Sequence, residues 1–67
     1  MTSVRVRVKE GCVNAGRAGL VVSKDELPEE IRDRWEVAVA IEHGALPMIT
    51  IDVYGYMGEE LEIVDIA

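Results

Sequence analysis

The sequence predicts a mostly β domain: five short strands and one short helical insert near residues 28–33, closed or partly closed into a small barrel. Three observations carry this. Apolar and polar residues alternate with a period of two over 4–9, 35–42 and 48–54, which puts each apolar set on one face of an extended chain. Glycine and proline punctuate the gaps between these runs. The apolar set is rich in Val and Ile, with no Phe and a single Trp, and β-branched side chains favour strands over helices.

The first strand is read from Val4, Val6 and Val8, which alternate with Arg5, Arg7 and Lys9. Gly11, Asn14 and Gly16 tolerate positive φ and turn the chain; Gly19 then opens a second apolar run, Leu20 to Val22. In Lys24 to Arg34, Pro28 suits a first helical turn, Glu29 and Glu30 its positive end, and Arg32 and Arg34 its negative end. Leu27 and Ile31, four residues apart, face inward together.

Trp35 is expected to begin the third strand, sharing a face with Val37, Val39 and Ile41. His43 to Pro47 form the turn, and 48–54 is the hairpin mate of 35–41. Gly55 and Gly58 break the chain around Tyr56 and Met57, a tight helical turn follows at Gly58 to Glu60, and Leu61 to Ile66 is the last strand. Leu61, Ile63, Val64 and Ile66 cannot all face inward along one regular strand without a bulge.

A chain of 67 residues makes one domain, 1–67, with a thin core, because at this size only about 60% of the unfolded surface leaves the solvent. Hydrophobic residues make up 49% and mean hydropathy is +0.13, enough apolar material to fold. The single Cys12 excludes an internal disulfide, and no spacing of Cys or His suits a metal. A reducing, cytoplasmic setting follows, with Met1 as the natural start, no membrane span and no cofactor motif.

The charge of −6 is unevenly spread. Residues 1–24 hold five basic groups (Arg5, Arg7, Lys9, Arg17, Lys24) against one acid, whereas 25–67 hold two against twelve. Either the N-terminal cations form a binding face, or they pair with the acidic end of the chain. In a barrel the terminal strands are neighbours, which sets Arg5, Arg7 and Lys9 opposite Glu60, Glu62 and Asp65. Arg17, at the tip of the first bend, is then the cation left to bind.

The spacing of Val6, Val8, Gly11, Gly16, Gly19, Val21 and Val22 resembles the KOW-type opening of SH3-like barrels. The close of the chain, Val53 to Tyr56 followed by EELEIVD, is similar to the final turn and strand of many bacterial SH3-like domains. Such domains include the type II dihydrofolate reductases, an SH3-like protein of photosystem I and the β-subunit domain of nitrile hydratase. The KOW resemblance implies an RNA- or ribosome-associated module with Arg5, Arg7, Lys9, Arg17 and Lys24 on phosphates. An acidic chain departs from that picture. The reductase resemblance implies a strand of the form V-Q-I-Y, which reads Ile51-Asp52-Val53-Tyr54 here, so only Tyr54 carries over.

No nucleophile has a partnered base, and GRAG at 16–19 lacks the lysine and hydroxyl residue of a phosphate-cradling loop. Glu29 with Glu30, and Glu59 with Glu60, read as solvated acids, and His43 as a solvated loop residue. Cys12 is either a structural thiol or one activated by Lys9 and Arg17. The expected function is therefore a non-catalytic interaction module that self-associates or docks on another protein. Trp35, Asp52, Tyr54, Tyr56, Val64 and Ile66 are its candidate interface residues.

Overall fold

The computed structural model describes residues 3–67, so Met1, the expected natural start, and Thr2 lie outside the described residues. Five strands, β1 (Val4–Val8), β2 (Ala18–Val22), β3 (Val37–Ala45), β4 (Met48–Tyr56) and β5 (Leu61–Ile66), form one antiparallel sheet in the order β4-β3-β2-β1-β5. The mostly β reading therefore holds. β4 and β5 are the two ends of this order, each hydrogen-bonded to one neighbour.

The valine alternation of β1 does what its period requires: Val6 and Val8 are buried while Arg5 and Arg7 are exposed. Val39, Ile41 and Tyr56 join these two valines in the core, with Val4, Val21, Val37 and Leu61 packed around them. This side is the inner face of the sheet. Gly11 at φ +87°, Asn14 at +66° and Gly16 at +83° make the bend after β1, as their permissive backbones predict. Gly19 lies in β2, at the head of the apolar run Leu20 to Val22.

The insert holds a 3₁₀ turn, Lys24–Glu26, and one short helix, α1 (Glu29–Arg32). Ser23 caps the first through Asp25 N (3.2 Å), and Leu27 between them is buried. Ile31 is half-buried, so the expected pair turns inward unequally. A second 3₁₀ turn, Gly58–Glu60, precedes β5 as anticipated.

Four expectations need correction. β3 starts at Val37, so Trp35 lies before the strand and off the Val37–Val39–Ile41 face. The hairpin turn is only Leu46–Pro47, because His43, Gly44 and Ala45 pair with Thr50, Ile49 and Met48, and two residues suffice to reverse antiparallel strands. β4 likewise runs on through Gly55 and Tyr56 with no break.

The fourth concerns β5. Val4 pairs with Ile66, Arg5 with Asp65, Val6 with Ile63, Arg7 with Glu62 and Val8 with Leu61, with a register shift between Arg5 and Val6. Val64 is the extra residue of a bulge there. The bulge returns Ile66 to the side of Leu61 and Ile63, whereas unbroken alternation would set it opposite them. Arg5 and Arg7 do face Asp65 and Glu62, and Lys9 N donates to Glu60 O (2.9 Å). The side chains make no ion pair: among the described residues the one salt bridge is Arg32 to Asp25, 3.9 Å.

Candidate binding pocket

The chain has three aromatic residues, and all three line one pocket at the end of β4. α1 supplies Ile31, the segment before β3 supplies Trp35, and β4 supplies Val53 to Tyr56. The first bend adds Cys12 and Val13, and the second 3₁₀ turn adds Glu60. The space measures about 280 Å³, and its walls are mainly apolar.

Trp35 reaches this place because of Gly55. A Cβ on Gly55 would overlap Cβ, Cγ and Cδ1 of the indole, so the ring occupies room that any other residue would fill. Gly55 pairs with Ala38, which is fully buried, so Trp35 covers the outer face while Tyr54 and Tyr56 belong to the inner one. The pocket thus wraps the free edge of β4.

Tyr56 is 3% exposed, against the expectation of an exposed strip. Its hydroxyl donates to Val13 O (2.7 Å) and accepts from Asn14 Nδ2 (3.3 Å), which pins the first bend against β4. Burial raises its phenol pKa, partly offset by the Asn14 bond. Tyr54, half-buried on the same side, has its hydroxyl 2.9 Å from His43 Nε2, the two rings meeting edge to face. His43 is therefore a strand residue with a partner, not a solvated loop residue.

Glu60 is the one charged side chain in the lining. One carboxylate oxygen accepts from Met57 N (2.7 Å), the other from Cys12 Sγ (3.2 Å). These bonds, the backbone one foremost, hold its carboxyl below the ordinary range. The same contact raises the Cys12 thiol, with burial adding to it and Lys9 opposing. Cys12 is consequently not an activated thiol, because its near neighbour is an anion. Glu60 is likewise no freely solvated acid, unlike exposed Glu59.

Of the six expected interface residues the fold brings Trp35, Tyr54 and Tyr56 together. Asp52 is exposed two residues before Tyr54, outside the lining, and Val64 and Ile66 lie on β5 with Ile63, all exposed. The five cations do not converge either. Arg5 borders a second groove of about 430 Å³ over Ala18, Leu20, Ala40 and Ile51, opposite Glu42. Arg17, expected to be free, donates to Glu42 O (3.4 Å) because the bend folds back beside β3. Lys24 is half-buried in the insert, and Arg7 and Lys9 are exposed.

Sequence reasoning missed Glu60, Cys12 and Gly55 as parts of one site. Cys12 and Glu60 are 48 positions apart, and no local spacing marks such a pair. Among the described residues, His, Cys, Asp and Glu form no metal-binding cluster, and no helix is long and apolar enough to cross a membrane. Comparison with known protein families, with characterised proteins and with solved structures finds no match to this chain.

Proposed function

We propose that this chain is a non-catalytic, SH3-like interaction module of the cytoplasm that associates with a second copy of itself or docks on another protein. The supporting observation is the imbalance of its apolar side chains. Among the described residues seven hydrophobic ones are buried, whereas nine large ones remain exposed, among them Ile63, Val64 and Ile66 on edge strand β5. Scattered exposed apolar residues are ordinary, but three within four positions on a free edge make a contiguous surface. An edge strand also presents unpaired N–H and C=O groups that a further strand can satisfy.

Sedimentation velocity over a wide concentration range tests this. The expected result is reversible association that Ile63→Lys or Ile66→Lys abolishes without unfolding the domain. A monomer at all concentrations, with no protein partner recovered through this edge, overturns the reading.

A KOW-like, RNA-associated role is the second reading, favoured by exposed Arg5 and Arg7, which lack ion-pair partners within 4.0 Å among the described residues. RNA binding that falls steeply with salt would support it; binding absent at low salt removes it.

A further inference from the structure

We infer that β4 of one copy pairs with β4 of a second, antiparallel about a two-fold axis at Ile51, and that Met48 and Ile49 of each copy enter the pocket of the other. The inference rests on the reading of this chain as a self-associating module and adds a contact separate from the β5 edge.

The β3–β4 hairpin leaves pairing unmade. β2 pairs with β3 over Ala38 to Ala40, whereas β3 and β4 run on together from Ile41 opposite Asp52 to Ala45 opposite Met48. This overhang is a two-stranded ribbon, which is marginal in water without a third strand or a packed face. Met48 to Asp52 are all exposed, although they alternate between the two faces of the strand, with Met48 at 79% and Ile51 at 62%. Pairing two copies joins their overhanging ribbons into one sheet of four strands.

The two edges of the sheet are not equally guarded. Charges, prolines and bulges keep sheet edges apart. β5 carries Glu62, Asp65 and the Val64 bulge. β4 has one acid, Asp52, in an unbroken nine-residue ladder with β3, and no lysine, proline or bulge. Its edge is the one open to tight pairing.

Charge and fit select the register. A two-fold axis normal to the sheet keeps the faces matched, so each residue meets one that shares its face. With Asp52 opposite its own copy, like charges meet. With Thr50 opposite its own copy, pairing ends at Met48 against Asp52, because Pro47 lies in the turn, and the pocket stays unfilled. With Ile51 opposite its own copy, Asp52 lies beside the hydroxyl of Thr50, Ile49 beside Val53 and Met48 beside Tyr54. Val53 and Tyr54 are both in the pocket lining. The rings there flank the edge of β4, Trp35 on the outer face and Tyr54 on the inner. A strand with an apolar side chain on each face, as Ile49 and Met48 provide, fills such a space.

Sedimentation velocity of the parent, of Ile63→Lys and of Ile63→Lys with Ile51→Glu tests the pairing. The acids and bulge of β5 make its contact the weaker one. Ile63→Lys should therefore lose reversible growth and keep a persistent dimer, twice the 7.4 kDa of the chain. Ile51→Glu sets a carboxylate opposite its own copy at an exposed position. The doubly substituted protein should fold, by circular dichroism, and its dimer should dissociate at concentrations about tenfold higher or more. In Ile63→Lys dimers refolded from mixed isotope-labelled and unlabelled chains, the Met48 methyl of one copy should show an Overhauser contact to the Tyr54 ring of the other. A monomeric Ile63→Lys protein, a dimer indifferent to Ile51→Glu, or a dimer without the Met48–Tyr54 contact overturns the inference. A parent that grows reversibly while Ile63→Lys is monomeric refutes the β4 pair alone; a parent that stops at a dimer untouched by Ile63→Lys refutes growth through β5 alone.

Discussion

The indole of Trp35 lies against Gly55 where a side chain would stand, and this contact joins the end of the insert to the outer face of β4. The position leaves no slack, since the atoms that a methyl would meet belong to the near end of the indole, Cβ and Cγ, and not to a flexible tip. Gly55→Ala should therefore displace the ring and cost about 1–3 kcal/mol, the usual range for overpacking. Chemical denaturation gives the cost, and a red-shifted Trp35 emission in the folded variant reports the displaced ring. A variant as stable as the parent, with unchanged emission, would show that the ring is not confined there.

Tyr56→Phe removes a hydroxyl that holds the first bend through Val13 O and Asn14 Nδ2. The ring stays in the core, so the loss should be that of the hydrogen bonds, about 0.5–1.5 kcal/mol each at most. Asn14→Ala removes one of the same two bonds, so the double variant should cost less than the sum of the singles. Strict additivity in a denaturation cycle would contradict the shared hydroxyl.

These two sites mark where the sequence is legible and where it is not. Periodicity places Val6 and Val8 inward, because that follows from the alternation of a single strand, whereas the apolar run Leu61 to Ile66 leaves open whether the strand bulges, and only the ladder shows the extra residue, Val64. The charge pattern sets the cations of β1 beside the acids of β5, and the ladder then pairs Arg7 with Glu62 and Arg5 with Asp65, although the side chains do not close into ion pairs. The pocket is legible only in part. Tyr54 and Tyr56 two apart fix a common face, but whether that face is wet or dry depends on the first bend, more than forty residues away. Trp35 leaves its predicted face because of a missing Cβ on the neighbouring strand, a vacancy that its own surroundings in sequence do not reveal.

The Cys12–Glu60 contact predicts a paired dependence on pH. Glu60 titrates below its ordinary value of 4.5 in the folded chain, so its contribution to stability is complete above that value and is lost as pH falls through the lower, folded pKa. Glu60→Gln should flatten the acid limb of the stability profile relative to the parent. Cys12 titrates above its ordinary 9.0, chiefly through the same carboxylate, so its thiol should react with a disulfide reagent near pH 8 more slowly than free cysteine. Glu60→Gln should speed that reaction. Identical acid limbs and identical thiol rates in the two proteins would sever the proposed link.

The bulge offers a cleaner test of β5. On either side of Val64 the ladder keeps its partners, Ile63 with Val6 and Asp65 with Arg5, so deleting Val64 leaves every one of these pairs available in a regular strand. The residue is 42% exposed, so little core is lost with it. Deletion should change the unfolding free energy by no more than about 1 kcal/mol, in the range of surface changes. Association should nevertheless weaken, because the bulge bends the edge and sets a third apolar side chain beside Ile63 and Ile66. Denaturation and sedimentation of the same variant answer both halves. A folded variant that associates as the parent does would remove Val64 from the interface, and one that fails to fold would show that the bulge itself sets the pairing of β5 with β1.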